Sequence, residues 1–119
     1  MTGADFRRIA LTMPGAVECA HCGHPDFRVG DRIFATLPPD ESGYGVLLLT
    51  AEEQGGMVSD APAVFSPVPG GWGRNGSTRV DLKNVTPDLM DGALRVAWNL
   101  RVEKNRARKP GGRAKRAAL

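Results

Sequence analysis

At 119 residues and 41% hydrophobic content the chain suffices for one core but not two ordinary domains, and no apolar run approaches the roughly 20 residues that cross a bilayer. Met1–Thr12 is interrupted by Asp5 and is no export signal, and Cys19 and Cys22 are too few and too close to staple a secreted fold, so a cytoplasmic protein without a membrane partner is expected. The net charge of +3 is uneven: from Arg101 onward eight basic residues face Glu103 alone, a local +7, which leaves −4 on residues 1–100 and argues against a body that grips phosphates across its own face.

Thr2-Gly3-Ala4-Asp5 has the form of a capping box, and Phe6, Ile9, Ala10 and Met13 follow at helical spacing until Pro14-Gly15 stops the helix. Strand signals fill Val17–Leu49. Phe27 and Val29 alternate with polar residues, Gly30-Asp31 is a two-residue hairpin signal, and Arg32–Leu37 resumes as a second strand. That turn places Val29 opposite Arg32 and Phe27 opposite Phe34, with Ile33, Ala35 and Leu37 on the other face. After a turn over Pro38–Gly43, Tyr44–Leu49 is apolar enough for a central strand covered on both faces. Should helices cover one face only, Phe27 and Phe34 are left facing solvent, a partner or a ligand, although an apolar cross-strand pair is more often core.

Thr50-Ala51-Glu52-Glu53 repeats the capping signal and opens a helix that Gly55-Gly56 weakens and Ala61-Pro62 ends. Two more strands are expected over Ala63–Val68 and Ser77–Leu82. The segment between them, with Pro67, Pro69 and four glycines around Trp72, is a shaped loop. In the plain reading it is a long connection whose Trp72 folds back on the sheet. In the functional reading Trp72, Arg74 and Arg79 form a binding edge. Thr86-Pro87-Asp88 starts the main helix, whose stripe is Leu89, Ala93, Leu94, Ala97, Trp98 and Leu100. Residues 1–106 thus read as one domain and 107–119 as a basic disordered tail. The order helix, three strands, helix, two strands, helix predicts an α+β two-layer sandwich with an antiparallel sheet.

Phe6–Gly15, His24-Pro-Asp-Phe-Arg-Val-Gly30, Ile33–Leu37, Phe65–Gly70 and Trp72-Gly-Arg-Asn-Gly76 followed by Thr78 together resemble the MmcQ/YjbR-like family of small bacterial proteins. The resemblance spans nearly the whole chain up to the tail. It implies the two-layer fold shared with secretion-chaperone-like domains and a DNA-binding role that rests on fold comparison. Many relatives carry a tryptophan where this chain has Ser77, so one aromatic of a stacking surface is missing here.

Cys19-Ala20-His21-Cys22-Gly23-His24 holds zinc's preferred donors, but all four fall within six residues and no second pair stands elsewhere, so no metal or other cofactor is expected. A redox pair needs a helix start to depress a thiol pKa, and this pair enters a strand. Asp40-Glu41 and Glu52-Glu53 are explained by a turn and a cap, Gly70-Gly71-Trp72-Gly73 lacks the lysine of a phosphate loop, and His24 near Asp26 has no nucleophile to serve. The expectation is therefore a non-catalytic binding protein. Weak, non-specific nucleic-acid contact falls to Arg74, Arg79, Lys104, Arg106, Arg108, Lys109, Arg113, Lys115 and Arg116, with Trp72 stacking on a base. The alternatives are a homodimer or other protein-interaction module on an open sheet face, or a small-ligand site. For these the patch is His24, Phe27, Arg28, Phe34 and Trp72.

Overall fold

Short local signals set the helix starts. The computed structural model describes residues 1–21, 23–39 and 42–117, with backbone alone for His21 and for residues 108–117. Helix α1 (Gly3–Ala10) begins in a complete capping box: the Thr2 hydroxyl accepts from the Asp5 N–H at 3.2 Å and the Asp5 carboxylate accepts from the Thr2 N–H at 2.8 Å. Four strands follow: β1 (Val17–His21), β2 (His24–Val29), β3 (Arg32–Thr36) and β4 (Tyr44–Leu48). Helix α2 (Ala51–Asp60) is capped by Thr50, whose hydroxyl accepts from the Glu53 N–H at 3.1 Å. Strand β5 (Phe65–Pro67), the one-turn helix α3 (Gly71–Arg74), β6 (Ser77–Asp81) and helix α4 (Pro87–Ala117) complete the chain.

The six strands form one antiparallel sheet in the order β1-β2-β3-β4-β6-β5, and the fold is the expected α+β sandwich. Two elements were not anticipated. Val17–His21 is a strand of its own, paired with β2 at the sheet edge, and the Trp72 loop contains α3. Helices α1 and α4 pack on one sheet face and on each other. In β4 and β6 burial alternates, so Gly45, Leu47, Thr78 and Val80 point to the helices while Tyr44, Val46, Arg79 and Asp81 lie on the outer face, half-buried. Strand β4 is therefore central in order but covered fully on one face only, unlike the expectation. Gly45 is needed where it stands, because a Cβ there would run into the Phe6 ring. The Trp98 indole N–H donates to the Pro14 carbonyl at 2.8 Å and ties α4 to the end of α1.

The hairpin register also differs. Val29 pairs with Arg32 as the turn dictates, but Phe27 lies opposite Ala35 and Arg28 opposite Ile33, which leaves Phe34 as the extra residue of a bulge. Phe27 and Phe34 are both 0% exposed, and the Phe27 ring sits 5.9 Å from that of Phe6. The surface patch anticipated from this pair does not exist, since both rings fill the core, each removing on the order of 2–3 kcal/mol worth of apolar surface from water. In α4, Thr86 accepts from the Leu89 N–H at 3.3 Å, and Met90, Ala93, Leu94 and Ala97 form the buried stripe. The helix then continues to Ala117, past the boundary at which composition places a disordered tail. Lengthening a helix that already exists avoids the cost of nucleation, and Ala, Arg and Lys favour helix, while Pro110, Gly111 and Gly112 act against it.

Candidate nucleic-acid interface

The Trp72 loop is fixed by close backbone approaches. Gly70 adopts φ 82° and ψ −157°, a region closed to other residues, and turns the chain into α3. A Cβ on Gly73 would collide with the Val68 carbonyl oxygen, and one on Gly76 (φ 113°) with that of Leu49. The buried Gln54 of α2 then latches the loop: its side-chain N–H group donates to the carbonyls of Gly73 at 2.9 Å and Ser77 at 3.0 Å and lies 3.2 Å from the Thr78 hydroxyl. Nothing in this arrangement covers Trp72, which is 75% exposed, the largest exposure of a bulky apolar residue among the described residues. The plain reading, in which it folds back on the sheet, is overturned. A rigid loop holds an indole out in water.

Beside that indole runs a groove of about 470 Å³. One wall is Trp72, Asn75 and Ser77, the other is Leu100, Arg101, Glu103 and Lys104 of α4, and Ile33, Leu48 and Leu49 line its base. The α4 wall is anchored by Asn105, which donates to the Val29 carbonyl at 2.9 Å and accepts from Arg101 Nε at 3.2 Å. An aromatic plane, an apolar base and two cations from α4 therefore share one concave surface.

Some of the anticipated residues gather here and others do not. Lys104 lines the groove, Arg74 is exposed two residues beyond Trp72, and Arg106 is exposed further along α4. Arg108, Lys109, Arg113, Lys115 and Arg116 continue the same helix in backbone, with side chains outside the described residues. Arg79 belongs elsewhere, on the outer face with its guanidinium carbon 4.4 Å from the centre of the Tyr44 ring. Arg28 is held by the fully buried Asp26 through contacts of 2.8 and 3.2 Å, and hydrogen bonding to that carboxylate raises its pKa above the ordinary value. His24 is exposed at the start of β2, about 16 Å along the strand from its Val29 end beside the α4 wall. Phe27 and Phe34 are core, so the five-residue patch is not one surface. Arg28 on β2 and Arg79 on β6 are separated by two intervening strands.

Arg101 and Gln54 were missed as contributors. The spacing of Leu100, Arg101 and Lys104 along α4 could have suggested a shared wall, whereas nothing local marks Gln54 as a latch. Among the described residues no group of three or more His, Cys, Asp or Glu comes together as a metal site, and Cys22 lies outside them. No helix among the described residues is long and apolar enough to cross a membrane.

A six-stranded antiparallel sheet with its helices on one face and a latched aromatic loop at one end defines a small α+β sandwich protein. The chain belongs to the YjbR family, whose model matches residues 11–100. It is similar in fold to the crystal structure of Deinococcus radiodurans protein DR2400, which carries the family domain DUF419, with a TM-score of 0.65 and 20% identity over 83% of this chain and 77% of that one. No curated protein matches the chain.

Proposed function

We propose that this protein is a non-catalytic, cytoplasmic binder of nucleic acid, weak and indifferent to sequence, which stacks unpaired bases on Trp72 and follows their phosphates along α4. The observation that carries the reading is the 75% exposure of Trp72 on a latched loop, in the same groove as Arg101 and Lys104. Leaving an indole in water costs free energy that a stacked base recovers, about 1–3 kcal/mol per base. The basic run that begins at the groove and continues down α4 supplies phosphate neutralisation, and the −4 balance of residues 1–100 directs an anionic strand to that helix. Ser77 opens onto the same groove, so stacking here depends on one aromatic.

The competing readings have less support. Phe27 and Phe34 are buried and offer a homodimer no apolar anchor on the outer face. A concave site does exist beside Trp72, but its second wall is α4 and not the His24–Arg28 strand. The deciding experiment is fluorescence anisotropy of a labelled single-stranded oligothymidylate across a salt series. Expected is binding that weakens steeply with salt, prefers single strand to duplex, and is reduced by Trp72→Ala and by deletion of residues 107–119. Absence of binding at low salt, or affinity indifferent to both changes, refutes the reading.

A further inference from the structure

A second concavity opens at the other end of β6, away from Trp72. It is an open concavity of about 1120 Å³, and its polar lining includes Thr2, Tyr44, Ser66, Arg79, Asp81 and Lys83. Arg79 is the unusual member. Its guanidinium lies over the Tyr44 ring at 4.4 Å, which fixes the plane of the fork. Its Nε is buried without any hydrogen-bond partner, and its Nη2 reaches the Tyr44 hydroxyl only at 3.5 Å. No carboxylate is paired with it among the described residues. Asp81, two residues on, is already engaged: one oxygen accepts from the Lys83 N–H at 2.9 Å and the other from the Asn84 amide at 3.0 Å.

A half-buried arginine in a folded protein ordinarily forks onto a carboxylate or phosphate, because its donors are costly to leave unmet. Here the fork is held flat, borders the cavity and is left without an acid. Among the lining side chains, Lys83 and Arg79 against Asp81 leave a balance of plus one. Leu82, Ala4 and Met1 add apolar wall for the body of a ligand. We propose that this cavity binds a small organic oxyanion, a carboxylate or a phosphate monoester on a compact apolar body, with Arg79 as its fork and Tyr44 as the support of that fork. The site is separate from the Trp72 groove and does not depend on nucleic-acid binding.

The probes are benzoate and phenyl phosphate, titrated into the whole chain while the Arg79 Nε–H signal and the backbone amides are followed by NMR. Expected is a saturable shift of Arg79 Nε–H and of the Gly43 and Tyr44 amides, with Trp72 unmoved. The tighter of the two probes identifies the source as carboxylate or phosphate. Arg79→Lys keeps the charge but loses the fork and should weaken binding about tenfold, and Tyr44→Leu should weaken it severalfold. Shifts that stay linear with concentration, or that centre on Trp72, overturn the proposal. So does unchanged affinity in a folded Arg79→Lys or Tyr44→Leu chain. An oligonucleotide that produces the same Arg79 shift would hand the site to nucleic acid and overturn it too. If Arg79→Lys does not fold, the wild-type shifts and Tyr44→Leu still decide.

Discussion

The side chain of Gln54 donates to the Gly73 carbonyl at 2.9 Å across 19 residues of sequence, and this contact turns a glycine-rich connection into a fixed platform for Trp72. Gly73 and Ser77 both keep a backbone donor as well, from Gly76 and Val68 respectively, so losing the latch strands neither carbonyl. Gln54→Leu should therefore cost only about 1–2 kcal/mol in urea unfolding, the net worth of the lost bonds. Time-resolved anisotropy of Trp72 should show the indole gaining fast motion. An unchanged decay would mean that the glycine contacts alone hold the loop.

Gly45 and Phe6 make the opposite kind of contact, a ring filling the place of a side chain. Gly45→Ala forces the ring or α1 outward and should destabilise by about 1–3 kcal/mol, the usual penalty of overpacking. Adding Phe6→Leu to that chain should recover part of the loss, measured as a double-mutant cycle by urea denaturation. Simple additivity of the two would place the strain elsewhere.

Asp5 gives α1 a pH dependence. Its pKa is lowered from the ordinary 3.8, first by the Thr2 backbone N–H and then by the Arg8 side chain. Because the folded value is the lower one, the cap's contribution is complete above 3.8 and disappears as pH falls through the folded value. NMR titration of the Asp5 carboxyl should find its midpoint below that of a model peptide, and Asp5→Ala should leave α1 amide protection flat over the same acid range. A midpoint at the peptide value would remove the box from the acid response.

The helix starts are legible in the sequence because a cap is a local signal: Thr2, Thr50 and Thr86 each sit within three residues of the N–H they accept. The hairpin turn at Gly30-Asp31 is legible for the same reason, and so is the register next to it. Counting outward from a turn fails at Phe34, where a bulge accompanies the burial of two aromatic rings. Strand β1 escapes notice because most of its residues are exposed and, among the described residues, it pairs with β2 alone. Trp72 and Lys104 were both candidates, but their meeting depends on where α4 crosses the sheet, a long-range fact with no local trace. The same holds for Arg79, which its spacing puts near Trp72 and its strand face puts beside Tyr44.

Stacking and charge in the proposed strand-binding groove separate cleanly by their salt response. Trp72→Ala removes a contact that involves no counterion, so affinity should fall about five- to a hundredfold at every salt concentration while the slope of log affinity against log salt stays the same. Lys104→Gln and Arg106→Gln should each flatten that slope by about 0.7, the value for one phosphate of a single strand, and approach the parent chain at high salt. Arg79→Gln should change neither quantity, because its guanidinium lies against Tyr44 and outside the groove. Anisotropy over the salt series distinguishes these outcomes. Should Trp72→Ala instead flatten the slope, the indole would be placing phosphates and not bases, and α4 alone would account for the affinity.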